Sequence, residues 1–317
     1  MESLLRKVAV AATVGMFLVL MMGATVTNTG SGEGCGDHWP LCHGKLIPSY
    51  TVETAIEYSH RLVTSIEGVL VMITAAGALW TRRGRRDVMF LVGLMVGSLF
   101  LQAGMGAWAV KETQSAGVLA LHFGISLICF ASTYLVMMAI REGNALTPAE
   151  RPVAPPRFGM LAWGSLVVVY GVAYLGAYVR HSSAELACGT DWPLCNGGVV
   201  STAGGAEGAH VAHRLAAFAS MVIVFGLLLW ARRFQATRPD IYRATQLASA
   251  VIVGQAVVGG IVVMSKLSIF ATLAHAGLMG LLFVLLCDVA RRTITWSFAT
   301  GSRRAPTGTP APMPAGD

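Results

Sequence analysis

The sequence predicts an all-α polytopic membrane protein, with eight transmembrane helices arranged as two tandem four-helix bundles related by a pseudo-twofold axis. Composition is the first reason: 55% of the 317 residues are hydrophobic and only 12% are charged, whereas a soluble domain carries about 25% charged residues. The second is a series of apolar runs, each long enough to cross a bilayer. The third is an internal duplication. Cys35 and Cys188, Trp39 and Trp192, Cys42 and Cys195, His60 and His213, Arg61 and Arg214, Gln102 and Gln255, Gly106 and Gly259, and His122 and His275 are all separated by 153 positions. Rare residue types recurring at one offset mark a repeated unit. Four spans per unit keep both copies in the same orientation, so the axis is expected along the membrane normal.

The spans are expected at roughly 8–28, 54–80, 88–110, 116–140, 158–180, 208–231, 243–265 and 269–290. The first follows Arg6 and Lys7 and resembles a signal peptide, but no small-residue cleavage site follows and its repeat partner is an internal span. It is therefore read as a helix. The second and sixth spans carry the histidine motifs, the third and seventh carry Gln102 and Gln255, and the fourth and eighth carry His122 and His275. Residues 1–150 form one half and 151–295 the other. Residues 296–317, rich in Pro, Gly and Ala, are expected to be a disordered cytoplasmic tail.

Basic residues set the orientation. The N-terminus, the even-numbered loops and the C-terminus hold Arg6, Lys7, Arg82, Arg83, Arg85, Arg86, Arg141, Arg151, Arg157, Arg232, Arg233, Arg238, Arg243, Arg291, Arg292, Arg303 and Arg304. The opposite side holds Lys45, Lys111, Arg180 and Lys266. Both termini are thus expected in the cytoplasm, with the loops around 29–53 and 181–207 on the outer face of the plasma membrane. The net charge of +7 is spread over short inter-span loops and is not a nucleic-acid footprint. Gly30-Ser31-Gly32-Glu33-Gly34 follows a span rather than a strand, so it is not read as a phosphate loop.

The chemistry is concentrated in Glu57-Tyr58-Ser59-His60-Arg61-Leu62 and its counterpart His210-Val211-Ala212-His213-Arg214-Leu215. Ionisable groups within a membrane span are costly and mark function by default. His60, His122, His213 and His275 are all expected roughly 10 Å below the outer end of their spans, two imidazoles per half on helices of one bundle. One such histidine alone reads as a hydrogen-bonding residue between spans; four at one depth read as ligands. Zinc takes three or four protein ligands, while haem iron accepts axial imidazoles and brings an apolar macrocycle. Two bis-histidine haem sites follow. Arg61 and Arg214 would meet haem propionates, or else snorkel to the headgroups. Gln102 and Gln255 would donate to the porphyrin or join helices.

The outer loops carry Cys35 and Cys42, and Cys188 and Cys195, each pair with six residues between its members. On the oxidising side they read as a short-loop disulfide in each half, with redox-active pairs as the alternative. Cys129 and Cys287 have no match in the repeat and read as packing residues. The repeat is broken at two carboxylates. Glu57, one turn above His60, corresponds to His210; Glu67, two turns below it, corresponds to Ser220. A carboxylate beside a haem can move protons, so the first half reads as chemical and the second as electron-transferring. Simple pairing of Glu57 with an arginine or histidine is the alternative, and Glu67 receives no assigned role.

At these residues the chain, over roughly 5–290, resembles haem A synthase. The resemblance rests on the tandem His-Arg motifs, Glu57 before the first, the Cys-x6-Cys loops, the glutamines of the third spans and the histidines of the fourth. It is nearest to the bacterial branch with cysteine pairs in its outer loops. The resemblance implies an oxidoreductase that converts the C8 methyl of haem O to a formyl group by successive hydroxylation, giving haem A. It implies His60 and His122 about the substrate haem in the first half, with Glu57 as catalytic carboxylate. It further implies haem b held by His213 and His275 in the second half, for electron transfer. Haem O synthase, the protohaem farnesyltransferase, is the implied supplier of substrate, and the electron acceptor stays unnamed. A homo-oligomer is compatible with the sequence. The competing reading is a non-catalytic di-haem cytochrome b that carries electrons.

Overall fold

The computed structural model describes residues 2–49, 51–142, 153–198 and 204–294. Among these residues the fold is built of eight long helices: α1 (Glu2–Thr29), α2 (Val52–Thr81), α3 (Arg86–Lys111), α4 (Ala116–Glu142), α5 (Pro156–His181), α6 (Gly205–Ala231), α7 (Pro239–Met264) and α8 (Ile269–Arg291). All eight are long and apolar enough to cross a membrane. Among the described residues no strand forms beyond two isolated bridges, Cys42 with Lys45 and Cys195 with Gly198. The protein is therefore all-α and multi-pass. The expected boundary at 150/151 and the expected tail at 296–317 lie outside the described residues.

The helices outrun the expected spans at most ends, because the backbone stays helical past the point where apolar side chains stop. Local signals set several starts. Thr51 caps α2, its hydroxyl accepting from the Thr54 N–H at 3.2 Å. Proline stands in the first turn of α5 and of α7, where its missing N–H costs nothing.

Within the first half α1 packs on α2, α2 on α3, α3 on α4 and α4 back on α1; in the second half α5 through α8 close in the same order. The halves meet where α1 and α4 lie against α5 and α8. This seam is the core. Nearly three-quarters of the apolar window of α4 is buried, at 72%, more than in any other helix. Phe17 meets Phe130 at 5.7 Å between ring centroids, and Tyr170 meets Phe283 at 5.8 Å. Glycines let the helices close up: Gly277 faces Met21 and Phe17, and Gly124 faces the Tyr170 hydroxyl. The outward faces stay apolar, with Leu62, Phe100, Phe218 and Leu229 exposed, as a surface facing lipid requires.

The end opposite the cysteine loops is tied by arginines. Arg82, almost wholly buried, donates to the Ile140 carbonyl at 2.8 Å and to Glu2 at 2.9 Å, joining α2 to α4 and α1. Asp288 on α8 pairs with Arg291 at 3.2 Å and Arg292 at 2.8 Å. Arg291 continues to Glu142 on α4, and Arg292 to Asp240 on α7. Removing a mostly buried partner leaves charge uncompensated. Asp288→Ala is expected to destabilise the fold by on the order of 2 kcal/mol, read as a lower thermal midpoint of the detergent-purified protein.

Candidate functional site

The four expected histidines lie on α2, α4, α6 and α8, all toward the cysteine-loop ends of their helices. His60 and His213 each follow the first residue of their helix by eight positions, and His122 and His275 by six. At 1.5 Å per residue this is one layer. His60 and His122 lie within electrostatic reach of each other, as do His213 and His275, with His181 beside His122 and His210 beside His213. The structure thus pairs the imidazoles across helices within each half.

Each imidazole rests on a glycine of a neighbouring odd-numbered helix. A Cβ at Gly23 on α1 would stand 3.6 Å from Cε1 of His60, and one at Gly106 on α3 would stand 3.7 Å from Cε1 of His122. In the second half the fit is tighter, at 2.8 Å from Gly176 to His213 and 3.1 Å from Gly259 to His275. Nδ1 of all four is buried and has no hydrogen-bond partner among the described residues. Gly106 and Gly259 were visible in the repeat. Gly23 and Gly176 share its offset of 153 but were missed, because glycine is common in these spans.

The arginines serve the loops. Arg61 pairs with Glu57 and donates to the carbonyls of Leu41 at 2.7 Å and His38 at 3.2 Å. Arg214 donates to the carbonyls of Pro193 at 3.3 Å and of Leu194, and its Nη2 is buried without a partner. Glu57, buried to 3% exposure, accepts the Cys35 N–H on Oε2 at 2.7 Å and pairs with Arg61 through Oε1. His210 stands at the corresponding place, so among the described residues only the first half carries a helix carboxylate that takes a cysteine-loop N–H. Gln255 Nε2 lies 3.3 Å from His275 Nε2, while Gln102 is buried with its Nε2 unbonded.

Both loops are closed as expected. Cys35 is bonded to Cys42 and Cys188 to Cys195, with S–S distances of 2.06 and 2.00 Å. Each loop also holds a cis proline, after Trp39 and after Trp192. The loops sit on the helices: Thr54 donates to Gly34 at 2.6 Å, Tyr58 to Leu46 at 2.6 Å, and Trp192 lies against Gly260 of α7.

Among the described residues no three His, Cys, Asp or Glu side chains gather as a bare metal-ion site. The donors come as two imidazole pairs in apolar surroundings, each with an unpartnered buried nitrogen and a glycine cradle. That donor set fits haem, whose iron takes two axial imidazoles and whose ring contents itself with apolar walls.

Comparison with known proteins bears on the same residues. The family model described as cytochrome oxidase assembly protein matches residues 6–54 and 49–287. The chain is similar to a protein named haem A synthase from Symbiobacterium thermophilum, 39% identical over 283 residues, covering 87% of this chain and 90% of the relative. It is similar to proteins of the same name from Bacillus licheniformis, 38% identical over 90% of this chain and 95% of the relative, and from Halalkalibacterium halodurans, 37% identical over 87% and 93%.

The glycine cradles make a testable contrast. Gly176→Ala forces the His213 ring to move, whereas Gly23→Ala adds an ordinary contact to His60. Both changes favour helix by about 1 kcal/mol. Gly176→Ala is nevertheless expected to lower the haem retained per chain, and Gly23→Ala to leave it unchanged; the ratio of haem to protein absorbance in the purified variants checks this.

Proposed function

The chain belongs to the cytochrome oxidase assembly family of haem A synthases, and from that premise we propose how its two histidine pairs divide the work. The enzyme is an oxidoreductase acting on haem O. The first half, residues 1–150, holds the substrate haem between His60 and His122; the second, residues 151–295, holds haem b between His213 and His275. Haem b, when bound, supplies one-electron redox capacity. The observation that carries this reading is an asymmetry between otherwise matched sites. Both have paired imidazoles seated on glycines, and only the first has a buried carboxylate, Glu57, one turn from its histidine.

In this reading the C8 methyl of haem O is oxidised to a hydroxymethyl and then to a gem-diol, which loses water to leave the formyl group of haem A. Glu57 is the carboxylate placed to take the protons that such steps move. Its two oxygens are held by the Cys35 N–H and by Arg61, so its proton chemistry is coupled to the disulfide loop above it. Arg214, with Nη2 buried and unpartnered, is the guanidinium placed to meet a propionate in the second half. Gln255, against His275, orients that imidazole. Arg61 is already committed to the first loop and acts by holding it shut; Gln102, buried with its Nε2 unbonded, is the matching amide donor of the first half.

The packing order of the helices is the same in both halves, and the seam pairs α4 with α5 and α1 with α8. This supports a pseudo-twofold axis along the membrane normal. The excess of arginine at the end opposite the cysteine loops supports cytoplasmic termini and outward loops. Haem O would then come from haem O synthase within the same membrane, and the electrons would leave to a separate acceptor. All four histidines lie in one layer, which does not suit a carrier that moves electrons between the two membrane faces.

Acid-acetone extraction of the purified protein, co-produced with a haem O synthase, tests the division. Haem b together with haem O, haem A or a hydroxylated intermediate is expected. Glu57→Gln and His60→Met are each expected to abolish haem A formation and to leave haem b bound at wild-type level. Normal haem A output from either variant would remove the first half from catalysis.

A further inference from the structure

A second carboxyl in the first half is left over by this reaction scheme. Glu67 on α2 is 3% exposed, and its Oε1 has no partner among the described residues. A carboxyl deep within a span is costly unless it has work to do. It occupies space that only a glycine on α1 can leave: any side chain at Gly15 would collide with the Glu67 carboxyl. Nearby on α4 the Cys129 thiol donates to the Met95 carbonyl at 3.7 Å, while the hydroxyls of Ser98 and Thr133 turn to carbonyls of their own helices. One further step of seven residues along α2 stands Thr74, fully buried, its hydroxyl also unpartnered.

The duplication supplies the control. At an offset of 153, Gly15, Glu67, Thr74, Ser98, Cys129 and Thr133 become Val168, Ser220, Leu227, Val251, Leu282 and Leu286. Ser220 turns its hydroxyl to its own helix at Ala217, and Leu227, Leu282 and Leu286 are buried in an apolar core. The second half has hydroxyls of its own at Ser165, Thr245 and Ser249, the last also without a partner, but among the described residues no carboxyl at this depth. At this depth a buried carboxyl is thus confined, among the described residues, to the half that carries Glu57.

Seven residues are close to two helical turns, so His60, Glu67 and Thr74 fall on one face of α2, about 10 Å apart along its axis. This file runs from the first histidine layer toward the arginine-rich end. We propose that Glu67 is the proton relay of the first site, exchanging protons between the reacting methyl group and the end of the bundle opposite the cysteine loops. The inference rests on the assignment of haem O oxidation to the first half. Each two-electron hydroxylation must move protons. With water as oxygen source, the methyl and one water give the hydroxymethyl, two protons and two electrons. With dioxygen as source, two protons and two electrons are taken up and one water is formed. In both cases Glu67 only gains and loses a proton at its carboxyl oxygen, and no electron passes to it. Water between the file's polar groups bridges the gaps, for which the unpartnered Glu67 Oε1 and Thr74 Oγ1 offer hydrogen-bond partners.

The test compares Glu67→Gln and Glu67→Asp with the wild-type holoenzyme. Three readouts are taken: haem content, rate of haem A formation, and the infrared difference spectrum between reduced and oxidised protein. Glu67→Gln is expected to keep wild-type haem b and bound haem O, to lose a deuterium-sensitive carboxyl band, and to form haem A roughly a hundred-fold more slowly. Glu67→Asp is expected to restore part of the rate. An unchanged rate in Glu67→Gln overturns the relay. So does a rate that falls only in proportion to lost haem, since that marks a packing role. A wild-type protein that converts no haem O overturns the assignment of the reaction itself, whatever the Glu67 variants show.

Discussion

An imidazole set a quarter of the way down an apolar helix has no water to turn to, and this constraint organises the molecule. Its ring must have something small beside it, and its nitrogens must find a partner that is not solvent. The fold meets the first demand with glycine. Four times, a histidine on an even-numbered helix rests on a glycine of an odd-numbered one. The second demand is left open at Nδ1 in all four cases. Polar groups left open inside a bundle are expensive, and a fold that leaves four of them open at one depth is one whose ligand completes it. The seam between the halves has a different task. Its aromatic and glycine contacts fix α1 and α4 against α5 and α8, and so hold the two histidine pairs at a constant separation.

The loops are coupled to this layer rather than laid over it. The guanidinium of Arg61 spans from Glu57 to the carbonyls of His38 and Leu41, and Glu57 in turn takes the Cys35 N–H. The disulfide shortens the loop so that those carbonyls and that N–H face the helix together. Arg214 repeats half of the arrangement, reaching the carbonyls of Pro193 and Leu194. Because position 210 is histidine, its second amino group has nothing to pair with. The same frame therefore yields a closed electrostatic clamp in one half and a spare guanidinium in the other.

Spans, histidines and disulfides were legible in the chain because they rest on composition and on one repeat offset, both of which survive without tertiary information. The fate of Arg61 was not. Sequence left it between a propionate and the headgroups, and gave no sign of the His38 and Leu41 carbonyls that it meets, which a backbone turn twenty residues earlier in the chain presents. Gln255, expected to donate to the porphyrin or to join helices, meets His275 of the next helix, while the Nε2 of its repeat partner Gln102 has no partner among the described residues; equal residues at equal positions diverge once their neighbours differ. Gly23 and Gly176 were hidden for a plainer reason. Glycine in a membrane helix is frequent, so its role shows only when the ring that it accommodates is in view.

Duplication followed by divergence leaves a record of which interactions bind and which react. Histidine, the glycine beneath it, arginine and the cysteine loop are retained in both halves, and all of them position or enclose. What differs is ionisable or polar: Glu57 against His210, Glu67 against Ser220, Thr74 against Leu227. A carboxyl within a span carries a desolvation cost, which an arginine partner offsets at Glu57 and Asp288 and nothing described offsets at the Glu67 Oε1. The second half keeps the frame but carries no carboxylate at either position, with His210 and Ser220 in their place. The first half bears the cost along one face of α2, and the position of that face, between the histidine layer and the arginine-rich end, gives the cost its direction.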